Sequence, residues 1–422
     1  MERNHPMTGS ENFSRTEPQS FVERYPGLQV LSSDPENAEI ASRSDLQRLL
    51  TPKEDHYVRN HHPTPRLDES DWTVSLTGMV TETAELSTDE LREDYATESI
   101  PHTMQCSGNG RTFFEPDAGG HQWTTGAVAT AVWTGTPVGE VLEAHGVDTD
   151  AGWVAVMGGE APEDGDVFCR SIPMAKMLDD CLLAYEMNGA PLSDDHGFPV
   201  RLLVPGWFGN NCVKWVSRIH TMDSMIAGEE WNGENGGPDY TRWQQFRYRI
   251  IPEQDDVPTA HTSLETTETH EQLTSEAIDN AYLYDQLVTS LITAPAENAV
   301  RDPAEPIEIT GMTWAGDDPV ECVEVSTDGG ETWADADLFE PALGRYAWRR
   351  FRYLWYPSSE SGDHLIVSRA TSERGRRQPA TISAPEAGLR GIEDDEFPWN
   401  KRGYASNAYQ PYGVTVHLEN ES

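Results

Sequence analysis

The sequence predicts an α+β protein with two folded parts, a mixed α+β domain over residues 55–252 and a β-sandwich over 290–422. Three observations predict it. In the first stretch, strand-like runs alternate with short helical pieces under frequent Gly and Pro punctuation, a texture that fits no regular βαβ repeat. Residues 253–280 are rich in Thr, Glu and Asp and read as an exposed linker or insertion. Beyond 290, short β-rich runs follow one another with turn clusters between them, as in an antiparallel sandwich.

Taken in order, residues 1–54 are polar and acidic, with one short amphipathic segment near 40–50, and read as an N-terminal extension. Runs 72–79, 152–157 and 200–204 are expected as strands, and 129–131 and 139–144 as short helical pieces. The linker, 253–289, is expected to close with a helix at about 275–287. Runs 306–312, 320–326, 349–354, 364–370 and 413–418 are the expected sandwich strands, and Asp328-Gly329-Gly330 is a hairpin-type turn.

Composition narrows the function. Asp and Glu number 72 against 30 Lys and Arg, so the formal net charge is -42. That field disfavours nucleic acid and anionic membrane surfaces as partners. Lys occurs only at 53, 176, 214 and 401, and the other 26 of the 30 basic residues are Arg. Excess acid with almost no Lys looks like a halophile's protein, in which molar salt screens the self-repulsion; the alternative is a mesophilic protein with an acidic interaction surface. A surviving Lys is therefore a better functional candidate than usual. No apolar run approaches the roughly 20 residues of a membrane span, and the first 20 residues carry no secretory pattern. A cytoplasmic protein is the expectation. Five Cys (106, 169, 181, 212, 322) form no zinc, iron–sulfur or haem-attachment spacing, so free, mostly buried thiols are expected.

The most informative segment is His102-Thr-Met-Gln-Cys-Ser-Gly-Asn-Gly-Arg-Thr (102–112). Small residues after Cys106 let backbone approach a ligand, and Arg111 can hold an anion beside the sulfur. A thiolate next to a guanidinium is expected to have a lowered pKa and to be a good soft-metal ligand. Alone, the segment reads equally as a buried Cys before a Gly-rich turn.

It does not stand alone. Val58-Arg-Asn-His-His-Pro-Thr-Pro (58–65), Gln122-Trp-Thr-Thr-Gly (122–126), His196-Gly-Phe-Pro-Val-Arg (196–201) and Val213-Lys-Trp (213–215) surround it in order. This set resembles the molybdenum-cofactor domain of the sulfite oxidase family. Val323-Glu-Val-Ser-Thr-Asp-Gly-Gly (323–330), Trp348-Arg-Arg-Phe (348–351) and Ser368-Arg-Ala-Thr (368–371) resemble the same family's dimerisation domain. The resemblance covers about 55 to 420. It implies the sulfite oxidase fold followed by an immunoglobulin-like β-sandwich.

The resemblance implies a role for each matching residue. Cys106 would be the protein ligand to molybdenum beside a pterin dithiolene. Arg59 and Arg111 would be anion-pocket residues, and Trp123 would line the substrate channel. His61 matches a cofactor-contacting histidine, whereas His62 does not match one. His196, Arg201 and Lys214 match positions that hold the pterin and its phosphate, and Tyr240 is the match for an active-site tyrosine. Of the other cysteines, Cys212 falls in the cofactor-binding loop. Asn211 stands where common eukaryotic members have a phosphate-contacting arginine, so Lys214 and backbone amides must carry more of that contact. Together with Ser-Gly-Asn-Gly-Arg (107–111), this looks closer to prokaryotic sulfite or sulfane dehydrogenase-like members.

The implied chemistry is oxo transfer to sulfite or a related sulfur oxyanion, with molybdenum–molybdopterin as cofactor. No cytochrome b5-like or haem-binding segment is seen, so electrons would pass to a separate carrier or to oxygen. A homodimer is implied. Two other readings stay open: a molybdenum-dependent reductase of nitrate or of S- or N-oxides, and a non-catalytic dimeric interaction protein.

Overall fold

The computed structural model describes residues 20–162, 166–226, 244, 248–250, 281–339, 341–358, 361–387, 392–393 and 395–420. Tyr240 and residues 253–280 lie outside the described residues.

The first part contains three sheets. A small antiparallel one joins Leu28–Ser33, Glu36–Ile40 and Val58–Arg59 in that order. A second places Val128–Pro137 between Glu98–Gln105 and Leu182–Met187, with Ala190–Pro191 and Arg201–Leu203 both paired to the latter. The third runs Ala84–Ser87, Thr73–Gly78, Val216–Met222, Trp153–Gly158, Cys169–Pro173. In it only Thr73–Gly78 and Val216–Met222 pair in parallel. The short helix Val138–Ala144 lies where one was expected.

Three expectations fail. Residues 129–131 lie inside the strand Val128–Pro137. The helix preference of Ala is worth only tenths of a kcal/mol per residue, while this strand pairs along both edges and is buried on both faces. Residues 20–54 form no free extension. Phe21, Tyr25, Leu28, Ala38, Ile40 and Leu46 are buried in the main core, because the strand Glu36–Ile40 abuts the loop before Val128–Pro137. The helix expected to reach residue 287 is absent over 281–287. Ala281–Tyr282 instead pairs as a two-residue strand with Arg249–Ile250.

In the second part, eight strands follow one path: Thr289–Ala294, Ile307–Trp314, Arg349–Trp355, Ala334–Phe339, Val320–Ser326, Gly362–Ser372, Val414–Leu418, Ala299–Arg301. Ala334–Phe339 is the corner. Its residues 334–336 pair with 323–325 and its residues 337–339 with 350–352, so one strand passes from one sheet to the other. Ile309, Val323, Phe351, Ile366 and Val416 fill the space between the sheets. Asp328 closes the expected turn by accepting from Thr332 N at 2.9 Å.

The two parts share a core. Trp314 Nε1 donates to Gln105 Oε1 at 3.0 Å, and Trp348 N to Thr103 Oγ1 at 2.7 Å. After Gly362–Ser372 the chain leaves the sandwich and runs back over the first part. There Ala405 N donates to Ser107 O at 2.6 Å, and Gly119 N to Lys401 O at 2.9 Å. This excursion delivers second-part residues to the Cys106 loop. Among the described residues no helix is long and apolar enough to cross a membrane.

Candidate active site

Glu98–Gln105 ends at Cys106, whose loop is tied on every side. Cys106 N donates to Ala127 O at 2.9 Å, Ala127 N to Asn109 Oδ1 at 3.0 Å, and Gly110 N to Thr124 O at 2.6 Å. Glu39, from the supposed extension, is fully buried and accepts from Thr124 N, Thr124 Oγ1 and Gly126 N. Burial holds its carboxyl above the usual carboxylate range, against these hydrogen bonds. The Cys106 sulfur accepts from Gly108 N at 3.4 Å. Its thiol differs from the expectation. Burial pushes the pKa up, and Arg59 and Arg111 offset this only in part. Metal coordination would favour the thiolate form.

Two clefts meet at this sulfur, sharing Arg59, Cys106, Ser107 and Tyr248. The first is lined by His61, His196, Arg201 and Lys214 among others. Its walls hold buried polar atoms with no partner among the described residues: His56 Nε2, Glu160 Oε2, Arg201 Nε and both amide atoms of Asn210. Lys214 Nζ reaches Asn60 Oδ1 and donates to Asp195 O at 2.7 Å. Burial lowers its pKa to about 7, with Arg201 adding to the effect. Burial raises Glu160 to about 7 and lowers His56 to about 3. His196 is likewise held neutral, its Nδ1 2.6 Å from Ser193 Oγ.

Asp195 ties this wall to the N-terminal segment. Its carboxylate takes Arg24 as an ion pair, Tyr25 Oη at 2.9 Å and Thr64 Oγ1 at 2.7 Å. His61 and His62 both stand 3.5 Å from Asp166, but only His61 lines the cleft.

The second cleft is lined by Arg59, Arg111, His121, Trp123, Arg402 and Tyr404, and among the described residues by no carboxylate. Arg111 is caged. Its Nε donates to Arg402 O at 2.6 Å and Nη1 to His121 O at 2.7 Å, and its guanidinium lies 5.2 Å from the Tyr404 ring centre. A Cβ on Gly403, which has φ +55°, would fall 2.7 Å from Arg111 Cγ, so only glycine fits there. Tyr404 stacks on Tyr248 at 4.8 Å. Trp123 is buried and also lines the cleft.

The structure thus brings Arg59, His61, Cys106, His196, Arg201 and Lys214 round one cleft, and Arg59, Cys106, Arg111 and Trp123 round the other. Asn211 faces neither. Its amide donates to Phe208 O and Leu283 O, and the neighbouring Asn210 lines the first cleft instead. Sequence reasoning also missed Glu160, Asp195, Tyr248, Arg402 and Tyr404. No local spacing reports Arg402, which meets Arg111 across 291 residues of chain.

These residues fit the cofactor expected from the resemblance. A sulfur ligand sits at the junction, buried Lys214 and Arg201 suit an anionic group, and unpaired donors and acceptors await a polar ring.

Residues 61–230 match the oxidoreductase molybdopterin binding domain, and residues 280–416 match the Mo-co oxidoreductase dimerisation domain. The chain is 32% identical over 382 residues to the sulfite oxidase of Gallus gallus, covering 87% of this chain and 76% of that protein. It is 31% identical over 406 residues to the mitochondrial sulfite oxidase of Mus musculus, covering 93% of this chain. The chain spans 66% of that relative's length. The crystal structure of the sulfane dehydrogenase SoxCD from Paracoccus pantotrophus has the same fold, with a TM-score of 0.68 at 22% identity over 99% of this chain and 96% of that one. With both parts and the Cys106 site accounted for, the chain belongs to the sulfite oxidase family of molybdopterin-binding oxidoreductases.

Proposed function

We propose that this protein oxidises sulfite, or a closely related sulfur oxyanion, using a molybdenum–molybdopterin cofactor held through Cys106. One observation carries the reading. The Cys106 sulfur lies where a cleft with buried cations and unpaired polar atoms opens onto a second cleft lined, among the described residues, by three arginines and no carboxylate. In a chain of net charge -42, such a pocket is a local exception suited to a small anion.

The net reaction is sulfite plus water giving sulfate, two protons and two electrons. The bound cofactor would supply the oxo-transfer and redox chemistry. The protein's residues bind and orient. Arg59, Arg111 and Arg402 would hold the oxyanion at contact range, since the global field repels it and salt screens that field. Trp123 would wall the channel, while His61, His196, Arg201 and Lys214 would grip the cofactor. Tyr248, at the junction of the clefts and stacked on Tyr404, supports its assignment as the active-site tyrosine in preference to Tyr240.

The electrons would leave to a separate carrier or to oxygen, with no haem in this chain. We further read the protein as a halophilic, prokaryotic-type homodimer of a salt-rich cytoplasm. Its division would be a cofactor domain that takes in residues 20–54 and runs to 252, a linker to 289 and a dimerisation domain beyond it.

The test is molybdenum content with a substrate panel. Stoichiometric molybdenum and sulfite-dependent ferricyanide reduction in high salt are expected. Nitrate turnover without sulfite turnover would replace the reading by the reductase, and metal-free inactive protein by the interaction protein.

A further inference from the structure

We propose that Asn210 reads the ring of the bound cofactor, its carboxamide pairing as donor and acceptor with the amide-like edge of the pterin. The inference rests on the cofactor reading above and adds a residue to it.

Asn210 lies in the single turn Gly209–Asn211 on the wall of the first cleft. Its Nδ2 and Oδ1 are both buried, and among the described residues neither has a hydrogen-bond partner. Leaving a buried amide unpaired costs roughly 1–3 kcal/mol, so such a side chain is retained at a site where something else satisfies it. The backbone around it is fixed. Arg170 Nε donates to Asn210 O at 2.7 Å, Asn211 N to Phe208 O at 3.0 Å, and Cys212 N to Gly209 O at 3.1 Å. The next residue is anchored by its own amide to Phe208 and Leu283. The carboxamide is thus presented on a rigid turn rather than on a loop that could fold it back.

Chemistry separates the two ends of the ligand. A phosphate offers only acceptors, so Oδ1 of Asn210 would remain unpaired against it. The cleft already contains a cation for an anionic end: Lys214 Nζ, seated on Asp195 O and 4.5 Å from the Trp215 ring centre. A pterin edge carries an N–H or NH₂ donor beside a carbonyl or ring-nitrogen acceptor, and a carboxamide is the side chain that matches both at once. Asp would supply acceptors only, Ser a single hydroxyl, and Ala neither.

The experiment uses the full chain, freed of cofactor, titrated anaerobically with metal-free pterin dithiolene phosphate and separately with its dephosphorylated form. Asn210→Ala is expected to weaken binding about 10-fold, the loss of one to two neutral hydrogen bonds, and by the same factor for both ligands. Lys214→Ala is expected to weaken the phosphorylated ligand selectively. Because the Asn210 side chain makes no hydrogen bond among the described residues, Asn210→Ala and the near-isosteric Asn210→Leu should leave the Tm of the empty protein unchanged or raised. Wild type binding with Asn210→Ala binding equally well would overturn the proposal and leave the cofactor reading standing. So would an Asn210→Ala defect that disappears with the dephosphorylated ligand, or a lowered Tm of the empty Asn210 variants. Wild type binding neither ligand would overturn the cofactor reading and this proposal with it.

Discussion

At the scale of single residues, Arg111 shows how a charged side chain is built into a cleft wall. Two backbone carbonyls fix its guanidinium and Gly403 leaves room for its side chain, so it faces the second cleft without paying for its order at each encounter. A charge-assisted contact to an anion contributes about 1.5–3 kcal/mol. Arg111→Gln and Arg402→Gln should each lower kcat/KM for sulfite roughly 10- to 100-fold, mostly through KM. Steady-state kinetics at fixed salt checks this, and an unchanged KM would remove that residue from the pocket. Lys214 gives a pH signature. Its pKa falls from 10.5 to about 7 on burial, so between those values the empty site has lost a proton that a bound phosphate would restore. Cofactor-phosphate binding should therefore take up a proton above pH 7 and weaken as pH rises from 7 toward 10. Calorimetry in buffers of different ionisation enthalpy measures that uptake, and no buffer dependence at pH 8 would contradict it.

At the scale of elements, the N-terminal segment changes most between sequence and structure. Its acidic, polar composition reads as an extension, yet Arg24 and Tyr25 hold the buried Asp195 carboxylate and Glu39 holds the loop before Val128–Pro137. Composition reports the solvated majority of such a stretch, while the few residues that anchor it carry no periodic signal. Tyr25→Phe and Arg24→Gln should each reduce the stabilisation that cofactor gives the protein, by about 1–3 kcal/mol for loss of one partner of a buried carboxylate. The check is the Tm difference between loaded and empty protein, and an unchanged difference would make the segment a passive cover. Sandwich strands such as Val414–Leu418 were legible because buried and partly exposed residues alternate along them, whereas Thr289–Ala294, buried at five successive positions, was not among the expected strands. Residues 129–131 misled because in a strand buried on both faces the alternation disappears. Cys106, Arg111 and Lys214 were legible because their loops are contiguous motifs. Arg402 and Tyr404 were not, since only the return of the chain over the first part brings them to the sulfur.

At the scale of the whole molecule, the charge of -42 is a statement about solvent. The Debye length is about 10 Å at 0.1 M salt and about 3 Å at 1 M, so the carboxylates repel one another at low salt and are screened at high salt. Thermal unfolding should shift to lower temperature as KCl is reduced from about 2 M to about 0.1 M, and a salt-independent Tm would contradict the halophilic reading. The clefts are the exception within that shell. They concentrate Arg59, Arg111, Arg201, Lys214 and Arg402 at one junction of the two parts, with Cys106 between them.

That junction is the central claim, and its most direct test is sulfite oxidation with ferricyanide as acceptor in high salt, comparing wild type with Cys106→Ser. The account requires that the variant fold normally and lose nearly all turnover, because a serine hydroxyl replaces the soft sulfur ligand. Undiminished turnover in Cys106→Ser, at wild-type cofactor content, would contradict it.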